Sequence, residues 1–520
     1  MATEVELKLS LDPRALKGDG AAARFAQHPA IAHVKSGRAR TTRLVSTYYD
    51  TPDLRLARHG IVLRLRRDGT RWLQTVKGPP LSGTSAGLHA RSEFECGLTH
   101  PSFDAAHLAT TPWHRVLTKA LRKKLLVPQF TTDFVRHAIP VTFPNGTRAE
   151  LAIDSGAIRA GRRTARISEI EIEIVSGDPL PLFRLAQLLT VDLPVTIGSA
   201  NKAERGFALA RDAGDAGEPV HASTAELGTD PAAEEALRTI AQGCLAQIAG
   251  NAAGLVADTD PEWVHQMRIG TRRLRSCLGL VPRTPARDAL IAEVKWLAQA
   301  LGNARDWDVF ATETLPPVVA AVGTDAAAAA SFARLRRRVS VRRVRARADV
   351  RDAVRSPRFT QLLLACGALC ATHHFGRSDH EALRALATPA REFAEQLIGR
   401  RHHRLAGRAA DLEHASPGER HRARIAAKKL RYAAEFFAPL FPAKRARTYL
   451  DALSALQDVL GHANDAETVH HLVEGLPGAR DVAMAGAIRG WAAASAATLA
   501  KEIAHVAGRF ARSRRFWADR

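Results

Sequence analysis

Cysteine, methionine and tyrosine are scarce in this 520-residue chain, at five, three and four. The cysteines (Cys96, Cys244, Cys277, Cys366, Cys370) are odd in number, scattered, and without a C-x-x-C pair. That argues against a disulfide framework and a thiolate zinc site, and for a reducing, cytoplasmic setting. Aromatic residues reach only 6% and do not interleave with the basic residues, so a base-stacking, sequence-reading nucleic-acid surface is not expected. No uninterrupted apolar run approaches the roughly 18 residues of a membrane span, and the N-terminus, charged from Glu4, lacks the apolar core of a signal peptide. A soluble protein without a membrane partner is the expectation. Acid is also in deficit: 53 Asp and Glu face 75 Lys and Arg, leaving +22, which points to an anionic partner. What is present in quantity is apolar, 46% of residues. This is enough to fill cores over two to four domains of roughly 100–200 residues and to exclude general disorder.

Two periodicities divide the chain. Up to about residue 210, short runs alternate apolar with charged residues, as in Val5-Glu6-Leu7-Lys8-Leu9, Ile61 to Arg66 and Glu169 to Ile174, the pattern of antiparallel strands with unlike faces. Asp212 to Thr229 is rich in Gly, Asp, Ala and Pro and reads as a linker. Beyond it the chain is rich in Ala, Leu and Arg at helical spacing. The expectation is an α+β protein of two domains, residues 1–210 and 228–515, joined by a linker at 211–227.

On the strands, the charges segregate. Glu4, Glu6 and Lys8 share one face of their strand and Val5, Leu7 and Leu9 the other. Arg64 with Arg66, Glu93 with Glu95, and Glu169, Glu171 and Glu173 repeat the geometry. One such strand is an ordinary solvated sheet face. Several, with acidic and basic strands kept apart, suit a barrel closed with its apolar face outward and a charged lumen. Cations would grip phosphate oxygens there, and the clustered carboxylates call for a hard divalent cation.

The same segments carry a family resemblance. EVELKL (4–9), STYYDTPDLRLARHGIVLRLR (46–66), TVKG (75–78), RSEFE (91–95), ELAIDSG (150–156), SEIEIEI (168–174) and NKAERG (201–206) resemble, in order, the blocks of CYTH domains, the triphosphate tunnel metalloenzymes. The resemblance implies an eight-stranded antiparallel β-barrel tunnel that binds triphosphate with Mg²⁺ or Mn²⁺. Carried over, Glu4, Glu6, Asp154, Glu169 and Glu171 are the metal-binding set, and Lys8, Arg64, Arg66, Lys77, Arg136 and Lys202 the substrate-binding set. Glu4, Glu6 and Lys8 are placed at the catalytic centre. The roles of Glu93, Glu95 and Glu173 stay open, and Asn201 stands where a serine is expected before Lys202.

The helical region contains a repeat. HQMRIGTRRLR from His265 recurs as HRARIAAKKLR from His421, and LGNARD (301–306) recurs as LGHAND (460–465). At 100° per residue, His265, Arg268, Arg272 and Arg275 form one cationic stripe, and His421, Arg424, Lys428 and Arg431 a second. Residues 331–355 add ten Arg against two Asp, a solvated helix or an extension of a basic groove. These blocks resemble the CHAD domain. That implies a pair of pseudo-symmetric four-helix bundles flanking a basic cleft for inorganic polyphosphate, with both stripes as its polyphosphate-binding residues.

The expected function is therefore a metal-dependent inorganic triphosphatase acting on tripolyphosphate, with a helical domain that binds polyphosphate. It would be cytoplasmic, with association with polyphosphate granules left open. Two other readings stand beside it: a polyphosphate-granule protein that only binds, and an adenylate cyclase, since such barrels also close ATP into cyclic AMP.

Overall fold

The computed structural model describes residues 2–518 except 13, 15–20, 82–86, 124, 199, 212–216, 323–325, 378 and 475–481; part of the expected linker lies outside them. It contains two compact units. The first comprises residues 1–221 together with 245–263 and 354–375, and the second the remainder.

The first unit is built on strands β1 (Ala2–Leu11), β2 (Arg40–Asp50), β3 (Val62–Asp68), β4 (Arg71–Pro80), β5 (Leu88–Leu98), β6 (Val127–Thr142), β7 (Arg148–Ala160), β8 (Arg163–Ser176) and β9 (Val195–Ile197). They pair antiparallel in the order β5-β4-β3-β2-β6-β7-β8-β1, and β1 closes the ring by pairing with β5. This is the expected eight-stranded barrel. The short β9 joins the last residues of β1, Leu9 to Leu11, where β5 has departed.

Alternation along each strand sorts the faces. Leu7, Leu9, Ile153, Ile170 and Ile172 are fully buried on the outer side, covered by helices, so the barrel's apolar surface is external and its lumen polar. At the end of β2, the Asp50 carboxylate accepts the backbone N–H groups of Thr51, Leu56 and Ala57 at 2.6, 2.8 and 2.9 Å. It thereby caps the turn Arg55–Arg58 that aims β3 back across the barrel. Helix Lys202–Arg211 lies against the barrel, and Gly206 in it faces the Phe130 ring so closely that a Cβ would come within 2.1 Å. Phe130 stacks in turn on Tyr48, ring centres 4.4 Å apart. Helix Leu180–Asp192 packs on helix Pro357–Ala371: Gln361 donates to the Gln187 carbonyl at 2.8 Å, and the Phe183 ring fills the space at Gly367.

The remaining chain is helical. Four long helices, Ala233–Ala257, Pro261–Leu278, Pro285–Val309 and Ala326–Arg355, are followed by four more, Ala390–Ala409, Pro417–Phe437, Ala443–Glu474 and Val482–Ala511. The repeated histidine block lies on the second helix of each set and the LG block on the third, as duplication requires. The side chains of 462–468 are outside the described residues. Helix Ala233–Ala257 is long and apolar enough to cross a membrane, yet 56% of its most apolar window is buried within the protein, as in a core helix.

Candidate active site and basic cleft

The barrel encloses a cavity of about 230 Å³. All six expected substrate-binding cations line it: Lys8 from β1, Arg64 and Arg66 from β3, Lys77 from β4, Arg136 from β6 and Lys202 from the start of its helix. Glu4, Glu6, Glu93, Glu95, Glu171 and Glu173 line it too, with Tyr48, His89 and Arg91. Asp154 and Glu169 sit behind this lining at 0% and 1% exposure.

The structure divides the expected metal-binding set. Among the described residues, Asp154, Glu169 and Glu171 bring carboxylate oxygens within 4.8 Å of one another; Glu4 and Glu6 are not in that group. Lys202 Nζ stands at the triad, 2.7 Å from Asp154 Oδ2, 2.9 Å from Glu171 Oε1 and in contact with Glu169. Arg136 makes a two-pronged contact with Asp154 at 2.8 and 2.7 Å and also reaches Glu171. Lys8 lies 2.7 Å from Glu171 and 3.5 Å from Glu6. Glu4 is gripped by Lys77, with a contact at 2.6 Å, and Lys77 is 3.5 Å from Glu93.

Charge balance differs along the lumen. Burial alone would raise the pKa of Glu171, but Lys202, Lys8 and Arg136 outweigh it and hold this carboxyl well below its ordinary range. Glu173 has the opposite balance. Burial, then the negative charge of Glu4, raises it to about 7, with Glu6 and Glu93 adding to the effect against Lys77. Burial lowers Arg66 to about 10, helped by Arg64 and Arg136, and the Tyr48 phenol, whose ionisation burial opposes, is nonetheless lowered by Arg64, Arg66 and Lys202. Around Arg66 cations outnumber anions, and around Glu173 carboxylates outnumber cations, although Arg64 and Glu93 lie 3.5 Å apart between them. Unbalanced cations fit a phosphate chain, and the all-oxygen triad of Asp154, Glu169 and Glu171 fits the hard-cation chemistry of Mg²⁺ or Mn²⁺.

A second basic concavity lies in the helical unit. A cleft of about 640 Å³ is lined by Arg268, Arg272 and Arg275 from one histidine-block helix and by His421, Arg424 and Lys428 from the other. Lys295, Arg401, Arg404 and Lys429 extend it, and no carboxylate is found among the described residues that line it. Two expected members are not in the lining: His265, and Arg431, which donates to Glu435 at 2.6 Å. Glu435 also accepts from Arg273 at 3.3 Å and so ties the two helices together. Burial, then Arg404 and Arg400, lowers Arg401 to about 10, the mark of positive charge that lacks a counter-ion.

Comparison with known families separates the two halves along the chain. Residues 2–207 match the CYTH domain model and residues 239–474 the CHAD domain model. The chain carries a CYTH domain followed by a CHAD domain. Over 216 residues, 40% of this chain, it is 32% identical to a Haemophilus influenzae protein named inorganic triphosphatase, and it covers 55%, about half, of that relative's length. The solved CHAD domain from the plant Ricinus communis is 32% identical over 57% of this chain and 98% of that one, with a TM-score of 0.48. A Hippeastrum protein, named as an adenylyl cyclase and described with a dominant triphosphatase activity, is 22% identical over 40% of this chain and 95% of its own, with a TM-score of 0.30.

Within the CYTH domain, two residues of the cavity outside the expected set carry a sequence signal: His89 and Arg91 share the period-two face of Glu93 and Glu95. Glu173, whose role the sequence left open, also lines the cavity. Glu204, in the NKAERG block, contacts Arg91 at 2.6 Å. In the CHAD domain, the contributions of Lys295, Arg401 and Arg404 come from positions outside the repeated blocks.

Proposed function

We propose that the CYTH domain, residues 1–210, is a metal-dependent inorganic triphosphatase that cleaves tripolyphosphate to pyrophosphate and phosphate, and that the CHAD domain, residues 228–515, binds inorganic polyphosphate. The observation that carries the reading is the pairing of six cations with a carboxylate-rich wall in one cavity of about 230 Å³. Apart from Tyr48, Val62 and Ala203 the described lining is polar or charged, which favours a base-free phosphate chain over ATP. A protein that only binds polyanions has no use for rows of inward carboxylates. The setting we assign is the cytoplasm.

Arg64, Arg66 and Arg136 hold phosphate oxygens, and Lys8 and Lys202 neutralise charge that spreads over the transferred phosphoryl group. A divalent cation held by Asp154, Glu169 and Glu171, with Glu4 and Glu6 as a further oxygen set, would supply Lewis-acid polarisation and lower the pKa of a water. In the hydrolysis a water oxygen bonds to the terminal phosphorus in line as the bridging P–O bond breaks, and pyrophosphate leaves with the bridging oxygen. The lost proton passes to phosphate products and solvent. No side chain becomes covalently attached.

The test is phosphate release from tripolyphosphate and from ATP with Mg²⁺, Mn²⁺ or chelator, on wild type, Glu4→Gln and Glu6→Gln. Tripolyphosphate should be preferred, chelator should stop turnover, and both variants should lose it with secondary structure intact. Retention of most activity in both variants at saturating metal would refute the assignment.

A further inference from the structure

Glu204 lies in the first turn of helix Lys202–Arg211 with its side chain 47% exposed, and it reaches two ways. Its Oε1 accepts from Arg91 Nη2 at 2.6 Å. Its Oε2 accepts the Asn201 backbone N–H at 3.2 Å, and Asn201 Oδ1 returns the favour by accepting the Glu204 N–H at 2.9 Å. This is a reciprocal cap of the helix start, tied through Arg91 to β5, 113 residues away in sequence. Arg91, Asn201, Lys202 and Ala203 all line the barrel cavity.

We infer that Glu204 is a positioning residue, a latch that fixes the helix start to Arg91 so that Arg91 and Lys202 present their charges to the phosphate chain at a set separation. Lys202 itself is held by contacts to Asp154, Glu169 and Glu171, and an incoming anion or cation competes for those contacts. The Glu204 contact stands outside them and persists when the lumen re-pairs. Glu204 also decides where Arg91 points. The register partner of Arg91 on β1 is Glu4, close enough across the ladder for the two to pair. Without Glu204, Arg91 turns to Glu4 and is lost to substrate. The ligand in this inference rests on the triphosphatase reading; the latch itself does not.

The experiment uses the full chain with Glu204→Ala, Glu204→Gln, Arg91→Ala and the Arg91→Ala/Glu204→Ala double variant. Loss of the charge-assisted contact should raise KM for tripolyphosphate about tenfold in Glu204→Ala with kcat changed less than about threefold. Glu204→Gln, which keeps one acceptor oxygen but loses the charge and turns the second oxygen into a donor, should recover only part of the loss, and the double variant should fall short of the sum of the two single losses. Amide exchange at residues 202–207 should quicken in Arg91→Ala, which leaves the cap intact. Additive effects in the double variant, or unchanged kinetics in Glu204→Ala, would overturn the latch. If wild type fails to hydrolyse tripolyphosphate, the triphosphatase reading falls, and the latch is decided by exchange: equal rates at 202–207 in wild type and Arg91→Ala overturn it, faster rates in the variant uphold it.

Discussion

Lys202→Met removes the cation that stands among three buried carboxylates. Lys202 is 6% exposed, and its nitrogen contacts Asp154, Glu169 and Glu171 together. After the substitution Asp154 keeps Arg136 and Glu171 keeps Lys8 and Arg136, but Glu169 is left with Arg205 at 3.2 Å and Lys8 at 3.8 Å. Breaking a buried ion pair by deleting one partner costs about 3–5 kcal/mol. At roughly 2–4 °C per kcal/mol for a unit of this size, the barrel's Tm should fall by about 6–20 °C without metal. The triad left behind is a set of close oxygen ligands freed from its competing ammonium group. Mn²⁺ or Mg²⁺ at a hundred times its Kd would return about 2.7 kcal/mol, so metal should stabilise the variant more than wild type. Calorimetry of the full chain with and without metal reads both effects, with amide exchange in β7 and β8 identifying the barrel transition. An unshifted Tm in the metal-free variant, or equal metal-induced shifts in variant and wild type, would refute the idea that Lys202 and a divalent cation share this triad.

Arg64→Ala and Arg66→Ala should each raise KM for tripolyphosphate and lower kcat, by about 10–100-fold in kcat/KM for a lost phosphate contact; steady-state kinetics unchanged in both would remove β3 from the site. Arg272→Glu with Arg275→Glu should weaken binding of long-chain polyphosphate far more than of tripolyphosphate and flatten its salt dependence, measured by titration at several salt concentrations; equal binding of duplex DNA by wild type at matched charge and salt would reveal a generic polycation surface. His402, whose Nδ1 lies 2.9 Å from the Tyr449 hydroxyl within the helical unit, is lowered to about 4 by burial and then by Arg515 and His403. A histidine held neutral in the fold contributes its full stability above its unfolded pKa near 6.5. That contribution, roughly 3 kcal/mol at most, drains away as pH falls from 6.5 toward 4. Urea unfolding followed across this window should show the loss in wild type and its absence in His402→Phe.

The barrel was legible because strand alternation is local: once Glu4, Glu6 and Lys8 share a face, Leu7 and Leu9 must share the other, and the segregation of acidic from basic strands leaves a charged lumen as the economical arrangement. The helical repeat was legible for the same reason, since two stripes at the same spacing need only the 3.6-residue period. What stayed hidden depends on register between distant strands. Nothing in EVELKL shows that Glu4 meets Lys77 while Asp154, Glu169 and Glu171 gather elsewhere around Lys202; that division follows from how far each strand slides past its neighbour. Arg431 has the spacing of its stripe but turns to Glu435, four residues on, and Arg401 enters the cleft from a helix outside both histidine blocks. The contact of Arg91 with Glu204 joins a strand to a helix and has no periodic signature at all.

Helix Pro357–Ala371 gives the chain a seam that differs from the seam between its families. It lies inside the segment matched as CHAD, yet it packs in the barrel's unit, with Gly367 leaving room for Phe183. A bulky residue at Gly367, remote in sequence from every cavity-lining block, would press on Phe183 and the helix that carries it. Damage to the barrel can therefore arise from a change in the CHAD segment. A truncation or swap that respects the family limits, ending the barrel's part near residue 207, takes away a helix that packs within the barrel's own unit.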